Sequence, residues 1–381
     1  MSELPFLPFS KPSISQAALD EVIDCLKSGW ITTGPRVKKF EAKLANYLQT
    51  PHALALTTGT AGLQLALQVI NLQPGDEVIT TAMTFVASLN TIVQAGGKPV
   101  LVDIDATHNI DISKLERAIT EKTRAIMPVH FTGLPVDLDP LYALAKTHHL
   151  HVIEDAAQAI GTHYKGKIIG SFGDMQVFSF HPNKNMTTGE GGCVTLRDEV
   201  LAKRISVLRF HGIDRDAFNR FSKEGNQLYD VIEPGYKYNM LDMQAAIGLH
   251  QLDDLELFIQ KRTQIALRYF EKLSHIKQIT LPVIPKYEHR HNWHLFTILI
   301  NEQSGLSRDE FVKKMKENNI GTGLHYQAPH LFTYYQKNFN FKEGDFPIAE
   351  QVGNQIVSLP LFPDMTQEEQ DRVVTAIESI F

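Results

Sequence analysis

Cysteine is nearly missing from this chain. Two residues, Cys25 and Cys193, stand in 381, too few to make a disulfide framework or a structural zinc site by themselves. A strong charge of either sign is missing too: 37 Lys and Arg stand against 43 Asp and Glu, and the formal net charge of −6 gives no electrostatic case for nucleic acid or an anionic membrane as partner. No apolar run approaches bilayer-spanning length, and the opening residues, broken by Pro5, Pro8 and Pro12, lack the continuous apolar segment of a signal peptide. Low-complexity tracts and internal repeats are also lacking. These absences point to a cytoplasmic protein.

Histidine is plentiful, with 16 in the chain. His148, His149 and His151 lie beside a strand start, and His289 and His291 flank Arg290. Neither cluster has the helical two-histidine spacing with a nearby carboxylate that catalytic zinc prefers, so no metal site is expected. A nicotinamide dehydrogenase is disfavoured in turn, because residues 57–62, after an early strand, do not form a Gly-x-Gly-x-x-Gly turn.

What is present is a regular alternation. With 43% hydrophobic and 21% charged residues, the chain can bury a large core. Helical spacing marks residues 15–27 and a second helix opened by Pro35, and residues 30–34 between them read equally as a pocket wall or as a packed turn. Strands at 53–56, 77–80, 99–103, 125–129 and 151–154 then alternate with helices at 60–70, 85–94, 112–119 and 138–147, which predicts an α/β fold with a largely parallel sheet covered on both faces. Residues 212–234 form a long polar loop with Arg215, Arg220 and Lys223. A periodic helix from Leu241 to about Leu273 leads into an α+β pattern, with a strand at 293–300 and helices at 308–318, 348–357 and 367–380. The domains expected are 1–255, large, and 256–381, small.

The chemistry concentrates in residues 175–196. Two apolar strands flank a loop, residues 181–192, rich in Gly, Thr and Asn that contains the single lysine Lys184. A lysine screened from water loses part of its preference for the ammonium form, and its free amine becomes a nucleophile able to form a Schiff base with an aldehyde cofactor. Upstream, Asp155 ends a strand, where the ligand sites of parallel α/β sheets lie. A carboxylate there can keep a pyridine nitrogen protonated and make the ring an electron sink. Thr57 to Gly62 form a small-residue strand-to-helix turn that would aim backbone N–H groups at a phosphate.

Glu154-Asp155-Ala156-Ala157-Gln158 together with residues 179–192 resembles the DegT/DnrJ/EryC1/StrS family of pyridoxal-phosphate-dependent nucleotide-sugar aminotransferases, and the resemblance continues through 28–35, 234–239 and 358–366. It implies a fold-type I aminotransferase with a large, mostly parallel-sheet domain and a smaller α+β domain. Lys184 would hold pyridoxal 5′-phosphate, Asp155 the ring nitrogen, Gln158 the ring hydroxyl, and Phe85 would stack on the ring; Gly59, Thr60 and Ser179 would bind the phosphate. His181, His325 and Tyr326 would face substrate. Residues 237–239 carry Lys237 and Asn239 where the commoner family form has Asn and Arg, and either would reach the phosphate of a second subunit in a homodimer with shared active sites. The same departure resembles the family's arabinose branch, implying glutamate as amino donor, 2-oxoglutarate as product and a UDP-linked 4-keto pentose as acceptor. A UDP- or dTDP-linked keto-6-deoxyhexose remains the alternative substrate, and a non-catalytic cofactor-binding sensor the alternative function.

Overall fold

The computed structural model describes residues 5–214 and 228–381. Arg215, Arg220 and Lys223 therefore lie outside the described residues. Among those described, no helix is long and apolar enough to cross a membrane, and no group of three or more His, Cys, Asp or Glu side chains is placed to hold a metal ion.

The sheet is built from β1 (His52–Leu56), β2 (Glu77–Thr81), β3 (Lys98–Val102), β4 (Thr123–Met127) and β5 (His151–Asp155), continued after two short strands, β6 (His163–Tyr164) and β7 (Lys167–Ile168), by β8 (Met175–Ser179) and β9 (Gly192–Leu196). Its order is β1-β9-β8-β5-β4-β2-β3. Every neighbouring pair is parallel except those of β9, which runs against both β1 and β8. Because the strands are sheathed on both faces, they are nearly continuous apolar runs, as burial on two sides demands.

Alternate residues of each strand feed two cores. Val152, Phe178 and Cys193 pack with α2 (Pro35–Tyr47), α5 (Leu138–Thr147) and the first half of the long helix Asp242–Leu273. Ile153, Val177 and Val194 pack with α3 (Gly59–Val69) and α6 (Glu199–Leu208). Helix α3 lies close on the sheet at Gly62, where a Cβ would stand 2.6 Å from Val177 Cγ1. That approach fixes where the helix start points.

Farther along the long helix, Ile265, Tyr269 and Leu273 join a different core, shared with β12 (Phe296–Ile300), β13 (Ile356–Leu359) and the terminal helix Gln367–Ile380. The buried Arg262 bridges the two ends of this region by donating from Nη1 to the carbonyls of Trp293 and His294, both 3.3 Å away, and of Leu361, 3.1 Å away.

Two expected helices are corrected. Residues 112–119 form two single 3₁₀ turns, Ile112–Lys114 and Glu116–Ala118, the first started by the Asp111 side chain accepting from Ser113 N–H. Local side-chain bonding of this kind competes with a continuous helix. The helix read over 348–357 ends at Gln355, and its last residues enter β13, because Val357 and Leu359 pair with β12 and fill the core shared with the end of the long helix. Residues 30–34 form the packed turn: Trp30 Nε1 donates to Thr33 O at 3.1 Å, and Gly34 N–H to Asp242 Oδ1 at 2.8 Å.

Phe178 is fully buried at the heart of the first core. Phe178→Ala should cost about 3–5 kcal/mol of stability, measured as a lowered denaturant midpoint with the slope unchanged.

Candidate active site

A cavity of ≈ 430 Å³ opens at the carboxyl ends of the parallel strands. Asp155 closes β5 and Ser179 closes β8, and since these strands are parallel neighbours both residues reach the same edge. In the third row of that edge, Ser179 pairs with Gly192 and Gly192 with Leu56. A Cβ on Gly192 would stand 2.5 Å from backbone atoms of Thr58 and Gly59, so this close approach of β9 to the turn requires glycine.

Gly59 and Thr60 open α3 and line the cavity. Thr58 caps the helix, its Oγ1 accepting from Ala61 N–H at 3.0 Å. The remaining first-turn N–H groups and the helix dipole belong to the cavity wall, beside the Ser179 hydroxyl. A Cβ on Gly59 would come within 3.0 Å of Ser179 Cβ, so glycine lets the start of α3 lie close against the end of β8. This donor set fits a phosphate.

Lys184 is held by a braced loop. Its N–H donates to His181 O at 2.9 Å, Thr187 N–H donates to Gln251 Oε1 on the long helix at 3.1 Å, and Asn185 Nδ2 donates to Asn292 O at 2.8 Å. The amine is partly open to the cavity but walled by protein, and this burial lowers its pKa to about 8 against the partial restoring pull of Asp155. Asp155 is pushed the other way, above the usual carboxylate range, by its own burial. Hydrogen bonds from Ser88 Oγ at 2.7 Å and Ala157 N–H at 3.2 Å, with the charge of Lys184, oppose that shift.

The other expected residues collect around this pair. Gln158 accepts at Oε1 from Thr132 N–H at 2.6 Å and donates from Nε2 to Tyr326 Oη at 3.0 Å. Phe85, at the N-cap of α4 (Val86–Gln94), exposes 56% of its surface into the cavity region, with its ring 5.8 Å from that of Tyr326. His325 lines the cavity with Nδ1 against Ser358 Oγ at 2.9 Å. Burial, with the nearby Lys184 charge, lowers its pKa to about 4, so it is neutral near physiological pH. His181 stands exposed at the cavity's edge, its Nδ1 2.9 Å from Asn183 Oδ1.

Lys237 and Asn239 do not join them. Lys237 Nζ donates to Asn239 Oδ1 at 2.7 Å, and Asn239 Nδ2 donates to Thr33 Oγ1 at 2.5 Å, beside the end of β1, where Asn239 bridges Leu56. Neither lines the cavity of this chain. Sequence reasoning missed Ser88, Thr84, Glu190 and Asn183; of these, Ser88 was discoverable, because it stands four positions after Thr84, in the first turn of the helix that Phe85 caps.

A doubly wound sheet with lysine and carboxylate at its carboxyl edge and a phosphate cradle beside them defines a fold-type I aminotransferase dependent on pyridoxal phosphate. The chain belongs to the DegT/DnrJ/EryC1/StrS aminotransferase family, whose pattern matches residues 12–378. It is 45% identical over 378 residues to the spore coat polysaccharide biosynthesis protein SpsC of Bacillus subtilis, covering 98% of this chain and 97% of that one. To the UDP-4-amino-4-deoxy-L-arabinose–oxoglutarate aminotransferase of Shewanella sediminis it is 45% identical over 381 residues, 98% of each chain. Its structure resembles a putative sugar aminotransferase of Streptococcus pneumoniae in its PLP form, with a TM-score of 0.90, 34% identity and coverage of 99% of this chain and 100% of that one. The protein is a pyridoxal-phosphate-dependent enzyme of nucleotide-sugar amination.

In cofactor-free protein, pyridoxal phosphate should form an adduct that borohydride fixes on Lys184. The rate of adduct formation should rise as pH passes about 8, where the amine loses its proton, rather than near the 10.5 of an ordinary lysine. Peptide mapping to another lysine, or a rate limb in the ordinary lysine range, would count against this assignment.

Proposed function

We propose that this chain moves the amino group of glutamate to a UDP-linked 4-keto pentose of the L-arabinose series, giving the 4-amino sugar and 2-oxoglutarate. The observation that carries the chemistry is the meeting of Lys184 and Asp155 on one cavity, next to the anion cradle of Gly59, Thr60 and Ser179. When bound, pyridoxal phosphate supplies an electrophilic aldehyde and a ring that draws electrons from an adjoining carbon. Lys184 would be the covalent anchor and, once displaced by the donor's amine, the base that moves a proton from the donor's α-carbon to the former aldehyde carbon, with the sugar half running the same transfer in reverse. Asp155 would hold the ring nitrogen protonated, Phe85 would cover one face of the ring, and Gln158 would meet the ring hydroxyl.

His325, being neutral, suits a sugar hydroxyl better than a carboxylate, which a cation would bind more strongly. Tyr326 and the exposed His181 complete the substrate-facing set. The pentose reading is supported by the likeness to the arabinose enzyme along the whole chain and by the forms of residues 237–239, 321–326 and 358–366. A keto-6-deoxyhexose is the second reading, because the chain is equally identical to a spore coat polysaccharide biosynthesis protein whose name specifies no pentose.

A pocket shaped for a pentose rejects the extra exocyclic carbon sterically, whereas a roomy hexose pocket accepts the pentose with a few kcal/mol of lost contact. With glutamate as donor, kcat/KM for the UDP-4-keto pentose should exceed that for UDP- and dTDP-4-keto-6-deoxyhexoses under one set of conditions. A preference for a hexose overturns the sugar assignment and leaves the aminotransferase standing.

The reading includes a homodimer with shared sites, in which Lys237 or Asn239 serves the partner's phosphate; their position outside their own cavity supports it. Mixing a Lys184→Ala chain with a chain carrying Lys237→Ala and Asn239→Ala should restore activity in heterodimers, which hold one intact composite site. Verified heterodimers without recovery would refute sharing. We also read 1–255 and 256–381 as the two domains, joined along the long helix, whose apolar partners change between Ile259 and Ile265.

A further inference from the structure

Asp155 is held by more than a backbone N–H and a nearby ammonium. Ser88 Oγ donates to Asp155 Oδ2 at 2.7 Å, while Ala157 N–H donates to Oδ1 at 3.2 Å. The single hydroxyl proton of Ser88 is thereby committed. Its contact with Thr84 Oγ1 at 2.8 Å must then be made by the Thr84 hydroxyl donating. Thr84 lines the cavity and Ser88 is wholly buried, so two hydroxyls in series run from the cavity wall to the carboxylate, both donating towards it.

One helix turn produces this arrangement. Phe85 caps α4, Ser88 N–H donates to Phe85 O at 3.2 Å, and Thr84 and Ser88 are four positions apart on one side of the helix start. The turn that offers Phe85 to the cavity therefore also aims Ser88 at Asp155.

We propose that Ser88, backed by Thr84, is a positioning residue that holds Asp155 ionised and correctly turned toward the ring nitrogen of the bound cofactor. The proposal rests on the reading of Asp155 as the ring-nitrogen partner. Burial drives this carboxyl toward its neutral form. The groups facing it are Lys184 from the loop after β8, His130 from the end of β4, and Tyr326. Lys184 changes its bonding and protonation when its nitrogen is used covalently, so its charge is not a constant neighbour, and His130 is engaged with Glu154 at 2.8 Å. The Tyr326 hydroxyl accepts from Gln158. With the Ala157 N–H, the hydroxyl relay supplies donors to Asp155 that take no part in bond making, and hydrogen bonds to an ionised carboxylate favour the ionised form.

The test uses the holoenzyme and three readouts: the pH titration of the cofactor's visible absorption, cofactor retention on dilution, and the single-turnover reaction with glutamate. Asp155→Asn sets the direction of the effect. Ser88→Ala should shift the absorption midpoint in that direction by about one pH unit and slow the glutamate half-reaction roughly tenfold. Ser88→Cys, a weaker donor of similar shape, should fall between Ala and wild type, and Thr84→Val should give a smaller shift of the same sign. An unchanged titration and unchanged retention in both Ser88→Ala and Thr84→Val, while Asp155→Asn moves them, overturns the relay. If Ser88→Ala does not fold, the midpoint in Thr84→Val decides alone. If Asp155→Asn itself moves neither readout, the ring-nitrogen assignment fails and the relay falls with it. No sugar substrate enters these measurements, so they are independent of the pentose assignment.

Discussion

Two opposite charges share one partly dry cavity, and the site depends on that pairing. Burial pushes both toward their neutral forms, raising the pKa of Asp155 and, net of the pull of Asp155, leaving that of Lys184 at about 8. Each also pulls the other back toward its charged form, so neither is locked in one state. A lysine in this condition supplies free amine near neutral pH, and the carboxylate keeps enough charge to hold a cationic nitrogen. The donors on Asp155 tilt the balance toward the anion.

Sheet topology makes the pairing possible. Parallel pairing of β5 and β8 carries Asp155 and Ser179 to the same edge, and reversal at β9 returns the chain there with Lys184 in the intervening loop. The lone antiparallel strand is thus what folds a polar loop back over the strand ends. Gly192 lets that strand lie against the Thr58–Gly59 backbone, bringing the α3 start beside Ser179. On the opposite face from Asp155, Glu154 accepts from His130 Nε2 at 2.8 Å, Tyr142 Oη at 2.6 Å and Gln176 Nε2 at 2.7 Å. His130 Nδ1 accepts from Val136 N–H, which leaves the ring proton on Nε2 for Glu154. This satisfied buried network pins the end of β5 from behind.

Much of the architecture was legible because it is written in local periodicity. The β-α alternation, the strands flanking Lys184 and the helix opened by Pro35 each follow from hydrophobic spacing and turn chemistry over a few residues. Reading failed where local and distant preferences diverged. Residues 112–119 have helical spacing, yet Asp111 ties the backbone into a short turn. Residues 356–357 read as the end of a helix, but Ile356–Leu359 gain more by pairing with β12 inside the core they share with the end of the long helix.

The sequence by itself determined which side chains could carry the chemistry: a lysine in a strand-bounded polar loop, an aspartate ending a strand and a small-residue turn before a helix. Lys184 and Asp155 stood out because motif and spacing are local properties, and the family resemblance assigned Gly59 and Thr60 to the phosphate. Tertiary structure decided which residues meet. It brought Ser88 to Asp155 across 67 positions of chain, with Thr84 behind it, set Ser358 behind His325, and kept Lys237 and Asn239 out of the cavity. Those relations depend on strand order, helix placement and the low-dielectric surroundings that packing creates, and burial, which sets both pKa shifts, exists only once distant segments have closed around the site.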